Sequence, residues 1–166
     1  MTAAEVAMLL AAAPSPDRVV YLMAVTTGLR FGELAGLDVG DVDVAERVLH
    51  VRRVVIELPD LGQRVKPYPK GGATARRAIG LSATVVQVLT EHLSDRLSDE
   101  PLWPNLDGGR QWYSTAFRLL RAAYRRAGSP GPAASTRCAG QPRPWRCSIQ
   151  RASGTSRRCS ATGARS

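Results

Sequence analysis

The chain has 166 residues, which is enough for one domain with a sizeable hydrophobic core and too few for two well-packed domains. It carries 23 Lys and Arg residues against 14 Asp and Glu residues, a formal net charge of +9. It contains no run of about 18 apolar residues, and its N-terminus lacks the basic segment of a secretory signal, so we expect a cytoplasmic protein that does not bind membranes.

The positive charge is concentrated in the C-terminal part of the chain. Up to Asp107 there are 11 basic and 14 acidic residues, whereas from Gly108 onward there are 12 arginines and no acidic residue. A basic block of this kind suggests a nucleic-acid partner, because counterion release from phosphates is the usual source of such affinity. An unfolded basic tail is an equally good interpretation of the composition alone.

No metal site or cofactor site is predicted. The cysteines Cys138, Cys147 and Cys159 form no CxxC pair and have no histidine nearby, so they indicate neither a zinc site nor a disulfide framework. Asp41 and Asp43 are interpreted as turn and cap residues, not as metal ligands.

Three helices are predicted before the first strand. Residues 3–13 are rich in alanine, and Thr2 is placed to cap them. Asp17 can cap a second helix of densely apolar residues that ends at Gly28. A short third helix is expected over residues 30–37.

Three extended segments follow, over residues 48–58, 64–68 and 76–81. The first is rich in β-branched residues, and turn residues separate it from the other two. The simplest arrangement of these segments is one small antiparallel sheet of three strands.

Two further helices are expected before the character of the chain changes. Ser82 can cap the first, and residues 112–127 form the second, with apolar residues at helical spacing in both. Residues 128–166 are rich in Arg, Pro, Gly and Ser and cannot build a core. We therefore predict one domain over residues 1–127, followed by a disordered tail over 128–166.

The segment TGLRFGELAGLDVGDVD, residues 27–43, contains the most specific pattern in the chain. It resembles the first conserved box of the tyrosine recombinases, or phage integrase family, in which a TGxR turn is followed by GE and then by LxxLxxxDxD. The match has no gap and covers Thr27, Gly28, Arg30, Gly32, Glu33, Leu34, Leu37, Asp41 and Asp43. The fold implied by the resemblance is a mainly helical α+β catalytic domain, with helices around a small three-stranded antiparallel sheet.

The resemblance continues through PYPKGGATARRAIGLS, where the family has a β-hairpin with a catalytic lysine, then a strand and a helix. Lys66 and Lys70 are the only lysines of the chain. Lys70 fits the family pattern better, because it directly precedes the glycines and lies ahead of Arg76 and Arg77. An exposed turn lysine kept for solubility is the alternative interpretation of Lys70.

The chemistry of the family explains these residue types. A tyrosine attacks a DNA phosphodiester through a five-coordinate phosphorus, whose added negative charge must be met by preorganised cations. The resemblance assigns that role to Arg30, because a guanidinium can hold two phosphate oxygens and stays protonated. It assigns to Lys70 the protonation of the leaving 5′-oxygen as general acid. Glu33 would hold the Arg30 guanidinium in position on a shared helix face, and Arg76 and Arg77 would bind DNA.

Several parts of a complete family member are absent from these 166 residues. No HxxR box, GH or GW pair or later tyrosine follows residue 127, and the N-terminal DNA-clamping domain is missing as well. The tyrosines all precede the position where the HxxR box should begin: Tyr21, Tyr68, Tyr113 and Tyr124. We therefore expect a truncated catalytic domain without recombinase activity of its own.

A one-base shift of the reading frame would account for the unusual composition after about Gly128. In the shifted frame the codon junctions between Ser135 and Ala139 allow HxLR, and those between Cys159 and Thr162 allow LGH at the family spacing. We therefore expect residues 128–166 to be an out-of-frame remnant of the missing half. On this view the arginines of the tail are not a selected DNA-binding arm.

The function expected from the resemblance is DNA integration or recombination on double-stranded DNA. Intact relatives assemble as tetramers on DNA, and this fragment is expected to be a monomer. The alternative is a non-catalytic DNA-binding or regulatory fragment that uses its basic C-terminal region. Binding to duplex DNA that is lost when residues 129–166 are deleted would favour that alternative.

Overall fold

The computed structural model describes residues 2–15, 17–69 and 72–128. The general acid expected from the sequence, Lys70, lies outside the described residues, and so does the segment 129–166.

Five α-helices form most of the domain in the part of the chain that the structure describes, as the sequence predicts. They are α1 (Ala3–Ala12), α2 (Asp17–Thr27), α3 (Phe31–Gly36), α4 (Ala83–Leu93) and α5 (Tyr113–Arg126). The Thr2 hydroxyl accepts a hydrogen bond from the Glu5 amide at 3.2 Å, and the Glu5 carboxylate accepts one from the Thr2 amide at 2.7 Å. This capping box begins α1 where the sequence predicts it. Gly28 ends α2 with φ +66°, a conformation that glycine adopts without strain.

The described residues also contain five short strands, which belong to two separate sheets. The strands are β1 (Val42–Asp43), β2 (Val48–Val51), β3 (Val54–Leu58), β4 (Gly62–Lys66) and β5 (Arg77–Gly80). A three-stranded antiparallel sheet has the order β1-β2-β5, and β3 and β4 form a separate antiparallel hairpin. The mainly helical α+β fold with a small three-stranded antiparallel sheet is thus confirmed.

The strands of that sheet are not the three that the sequence analysis expected. Residues 48–58 were expected to form one strand, but they divide at Arg52 and Arg53 into β2 and β3. Both arginines direct their guanidinium groups to the buried carboxylate of Asp41, at 3.4 Å from Arg52 Nη1 and 3.4 Å from Arg53 Nη2. At these two residues the chain leaves the three-stranded sheet and enters the hairpin. As a result β4 pairs with β3, and β5 pairs with β2.

The hydrophobic core lies between the helices and includes one large aromatic residue from a loop. Trp103 is 1% exposed, and its indole Nε1 donates to Asp17 Oδ1 at 3.1 Å. Its ring meets Tyr21 and Phe31 edge-on, with centroids 6.4 Å and 6.3 Å away. Trp103 therefore packs in the core of the domain, against α2 and the start of α3.

Helix α3 packs against β3 at very short range because glycines face the strand. A Cβ atom at Gly32 would lie 2.4 Å from the Val55 carbonyl oxygen, and one at Gly36 would lie 3.0 Å from the Arg53 carbonyl oxygen. Because β3 is paired with β4, both strands of the hairpin would have to shift to make room for a side chain. These glycines therefore set the distance between α3 and the hairpin.

We expect Gly32→Ala to lower the free energy of unfolding by about 1–3 kcal/mol, the usual cost of overpacking a fixed backbone contact. Urea denaturation followed by circular dichroism measures this change. Gly80→Ala is the matched control, because a Cβ at Gly80 meets no atom within 4 Å. Equal effects of the two substitutions would contradict the close-packing argument.

Within the described part of the chain, no helix has the length and apolar character needed to cross a membrane.

Candidate phosphate-binding site

Arg30 and Glu33 lie together at the start of α3. The carboxylate of Glu33 accepts a hydrogen bond from the Arg30 amide at 2.9 Å, which caps the helix. The Arg30 guanidinium is farther away, with Nη1 3.6 Å from Glu33 Oε1. The Glu33 side chain is buried, whereas that of Arg30 is 38% exposed. In this motif the Arg30 guanidinium is therefore partly exposed at the surface, and the buried Glu33 carboxylate lies next to it.

Arg77 approaches the same carboxylate from β5. Its Nη1 and Nη2 donate to Glu33 Oε1 and Oε2, both at 3.1 Å, in a two-pronged pair. Register places Arg77 opposite Val51 in the three-stranded sheet, so the sheet determines where the guanidinium lies. The resemblance predicts that Arg77 binds DNA, and no sequence signal indicates its pairing with Glu33 across 44 residues.

Glu33 is held in its ionised form by these neighbours. Burial on its own raises the pKa of the Glu33 carboxyl group. The hydrogen bonds from Arg77 and from the Arg30 amide, together with the charges of both arginines, outweigh burial and bring the pKa below its ordinary value. Two guanidinium groups therefore share one carboxylate, which leaves the cluster with a net positive charge.

The Arg30 guanidinium keeps donors that the protein does not use. Its Nε is buried and has no hydrogen-bond partner among the described residues. A guanidinium has five N–H donors, and a buried donor without a partner is costly. The exposed part of the guanidinium remains open to an acceptor from outside the protein.

The neighbouring Arg76 is exposed and directly precedes β5. Its Nη2 donates to the Pro67 carbonyl oxygen at 2.9 Å, which ties the start of β5 to the end of β4. Lys70 belongs to the segment between these two strands and lies outside the described residues.

A second cluster of charged side chains lies around Asp38 and Asp41 and has a structural role. Arg110 Nη2 contacts Asp38 Oδ1 at 2.6 Å and its Nη1 donates to the Ala35 carbonyl oxygen at 3.0 Å, while Arg53 contacts Asp38 and Asp41. Asp41 also caps the turn by accepting from the Asp38 amide at 2.9 Å. This confirms the turn role expected for Asp41.

The second aspartate expected at a turn behaves in the same way. The Asp43 carboxylate accepts from the Glu46 amide at 2.9 Å, in the turn between β1 and β2. Across residues 2–15, 17–69 and 72–128, no group of three or more His, Cys, Asp or Glu side chains is arranged to hold a metal ion.

Helix α5 presents a stripe of arginines to solvent. Arg118, Arg121 and Arg125 are exposed and lie opposite the buried face formed by Ala116, Leu120, Ala123 and Tyr124. The helix has no acidic residue to neutralise them. The excess of arginine after Asp107 is visible in the sequence. Only the structure shows that three of these arginines lie on one exposed face of α5.

Comparison with known proteins identifies relatives of this chain. The family model described as "Phage integrase family" matches residues 1–137. Two curated proteins of Mycobacterium tuberculosis, from strains CDC 1551 / Oshkosh and ATCC 25618 / H37Rv, are each named "Putative prophage phiRv2 integrase". They are 26% identical over 124 residues, which cover 72% of this chain and 32% of each relative.

Solved structures share the fold. The Tn1549 transposon integrase in complex with transposon right end DNA matches with a TM-score of 0.61 and 20% identity, over 75% of this chain and 45% of that one. The XerA recombinase matches with a TM-score of 0.57 and 25% identity, over 77% of this chain and 42% of that one. The chain thus spans less than half the length of these relatives.

Proposed function

The chain belongs to the phage integrase family, and on that basis we propose that it is the first part of a tyrosine recombinase catalytic domain that serves DNA integration or recombination. The observation that carries this proposal is the Arg30 guanidinium, which is partly exposed beside a buried carboxylate and has an unused Nε donor. A phosphodiester in its transition state offers oxygens with extra negative charge to such a group. Arg30 is the proposed ligand of that phosphate.

The other site residues are proposed from their positions in the family motif. Lys70 would deliver the proton to the leaving oxygen as general acid. Arg76 and Arg77 would lie along the DNA backbone, and double-stranded DNA is the proposed partner. The arginine stripe of α5 supports DNA binding, because phosphate contacts from exposed arginines supply most sequence-independent affinity.

We propose that the chain by itself does not cleave DNA. Its 166 residues contain no HxxR box after α5 and no tyrosine after Tyr124. The tail over residues 128–166 is proposed to be the out-of-frame remnant of that missing part. The fragment is proposed to be monomeric, whereas a complete enzyme would assemble on DNA.

The proposed phosphate contact predicts how salt affects binding of a short duplex DNA. Each phosphate contact contributes about one to the slope of log affinity against log salt, so Arg30→Gln is expected to reduce the slope by about one. Fluorescence anisotropy at several salt concentrations measures the slope.

Arg47→Gln is the matched control for this measurement. It removes the same charge from an exposed turn between β1 and β2, away from the Glu33 cluster. Its slope should stay close to that of the unchanged chain. Identical slopes for the two variants would contradict the assignment of Arg30 as a phosphate ligand.

A second candidate function rests on the basic C-terminal region. If the chain acts as a non-catalytic DNA-binding or regulatory fragment, deletion of residues 129–166 removes most of its salt-dependent affinity and Arg30→Gln changes it little. The same anisotropy measurement therefore separates the two functions.

A further inference from the structure

Glu33 has two guanidinium groups within reach, and they do not share it equally. Arg77 occupies both carboxylate oxygens at 3.1 Å, whereas the nearest guanidinium nitrogen of Arg30 is 3.6 Å away. The Arg30 amide, at 2.9 Å, completes the set of donors. The acceptor capacity of Glu33 is thus taken up mainly by Arg77 and by the backbone.

This division matters because a buried carboxylate must be paired. If Arg77 were absent, the Glu33 charge would be left with one backbone hydrogen bond and one cation 3.6 Å away, and such a weakly paired buried charge is costly. The Arg30 guanidinium is on the same helix turn and needs to move only a few tenths of an ångström to make a close pair. The donors that Arg30 now presents to solvent would then be used within the protein.

We propose that Arg77 is a positioning residue: by saturating Glu33, it keeps the Arg30 guanidinium available to bind a phosphate group. This inference rests on the proposed role of Arg30 as the phosphate ligand. In this role Arg77 acts through Glu33, whose carboxylate takes two of its five N–H donors. Because β5 pairs with β2, the sheet determines where Arg77 lies. Through Glu33, it then also determines whether the Arg30 guanidinium is available to a phosphate group.

The experiment uses the full chain with nitrogen-15-labelled arginine and follows the Arg30 Nε–H resonance by NMR. Loss of one resonance in Arg30→Lys assigns the signal. Titration with inorganic phosphate then gives an apparent affinity at Arg30. We expect Arg77→Gln to shift the free resonance and to weaken phosphate binding by about tenfold, the effect of losing one hydrogen bond to a charged group.

The double variant Glu33→Gln with Arg77→Gln distinguishes positioning from direct binding. In the double variant no Glu33 carboxylate is left to form a close ion pair with the Arg30 guanidinium. We therefore expect its phosphate affinity to return to within about twofold of that of the unchanged chain. It also leaves no unpaired buried charge, so it keeps the proposal testable if Arg77→Gln alone does not fold. If Arg77→Gln does not fold, Arg77→Lys takes its place as the single variant. A lysine keeps the charge but cannot donate to both carboxylate oxygens of Glu33 in one plane as a guanidinium does.

Arg47→Gln is the matched control, since it removes one charge from the exposed turn between β1 and β2 and leaves the pair between Arg77 and Glu33 intact. Its phosphate affinity should match that of the unchanged chain. If Arg77→Gln has no effect, or if the double variant stays as weak as the single one, Arg77 does not act through Glu33 and the proposal is overturned. If phosphate leaves the Arg30 resonance of the unchanged chain unmoved, the proposed phosphate site itself is wrong.

Discussion

Incubation of the 166-residue chain with duplex DNA is expected to leave no covalent protein–DNA adduct. A nucleophilic tyrosine needs an accessible hydroxyl that can lose its proton, and the core holds two of the four tyrosines, Tyr21 and Tyr124, almost completely buried. Burial raises the pKa of Tyr21 above its ordinary value and that of Tyr124 to about 12. The Tyr113 hydroxyl is buried as well, and burial raises its pKa to about 12.

Tyr68 is the remaining tyrosine, and its side chain is 42% exposed. It lies before Lys70 in the sequence, whereas the family places its nucleophile after the HxxR box. Denaturing gel electrophoresis with end-labelled DNA detects an adduct, and Tyr68→Phe tests whether this hydroxyl is responsible. Any adduct from the unchanged chain, whether or not it survives Tyr68→Phe, would contradict the proposed inactivity.

A reading-frame variant is the positive control for this assay. Insertion of one base before the codon of Ser135 is expected to restore HxLR and LGH and to continue into a downstream tyrosine. The resulting longer chain should form an adduct that Arg30→Lys strongly reduces. If the shifted frame contains no such tyrosine, the proposal that residues 128–166 are out of frame is wrong.

Trp103→Ala is expected to lower the free energy of unfolding by about 3–5 kcal/mol, the usual cost of removing a large buried aromatic side chain. Trp103 fills the space beside Tyr21 and Phe31, and its Nε1 is the side-chain donor to the buried Asp17 carboxylate. The substitution thus leaves a cavity and also a carboxylate without that donor. In a domain stabilised by about 5–15 kcal/mol, this loss makes the folded state marginal.

Trp112→Ala is the matched control for this prediction. Trp112 has the same side chain, but it is 40% exposed beside Gly62. We expect this substitution to cost less than about 1 kcal/mol, as at most surface positions. Urea denaturation followed by circular dichroism compares the two variants without relying on tryptophan fluorescence. Equal losses would show that Trp103 does not anchor the core.

Much of the fold follows from local features of the sequence. Capping by Thr2 and the spacing of apolar residues predict α1, α2, α4 and α5 close to their observed bounds, because hydrogen bonds within a helix join residues only four positions apart. The proximity of Arg30 and Glu33 is local in the same way, since residues three apart share a helix face. The sequence could therefore predict these parts of the domain and of the candidate site.

The remaining features depend on contacts between distant parts of the chain. The sequence determined the helices, the family motif and the proximity of Arg30 and Glu33 at the start of α3. Only the tertiary structure decided that residues 48–58 divide between two sheets, that Arg77 pairs with Glu33 across 44 residues and that Trp103 reaches Asp17 across 86. Such pairs depend on where the chain turns and on strand register, and a shift of one residue would direct Arg77 to the opposite face of the sheet.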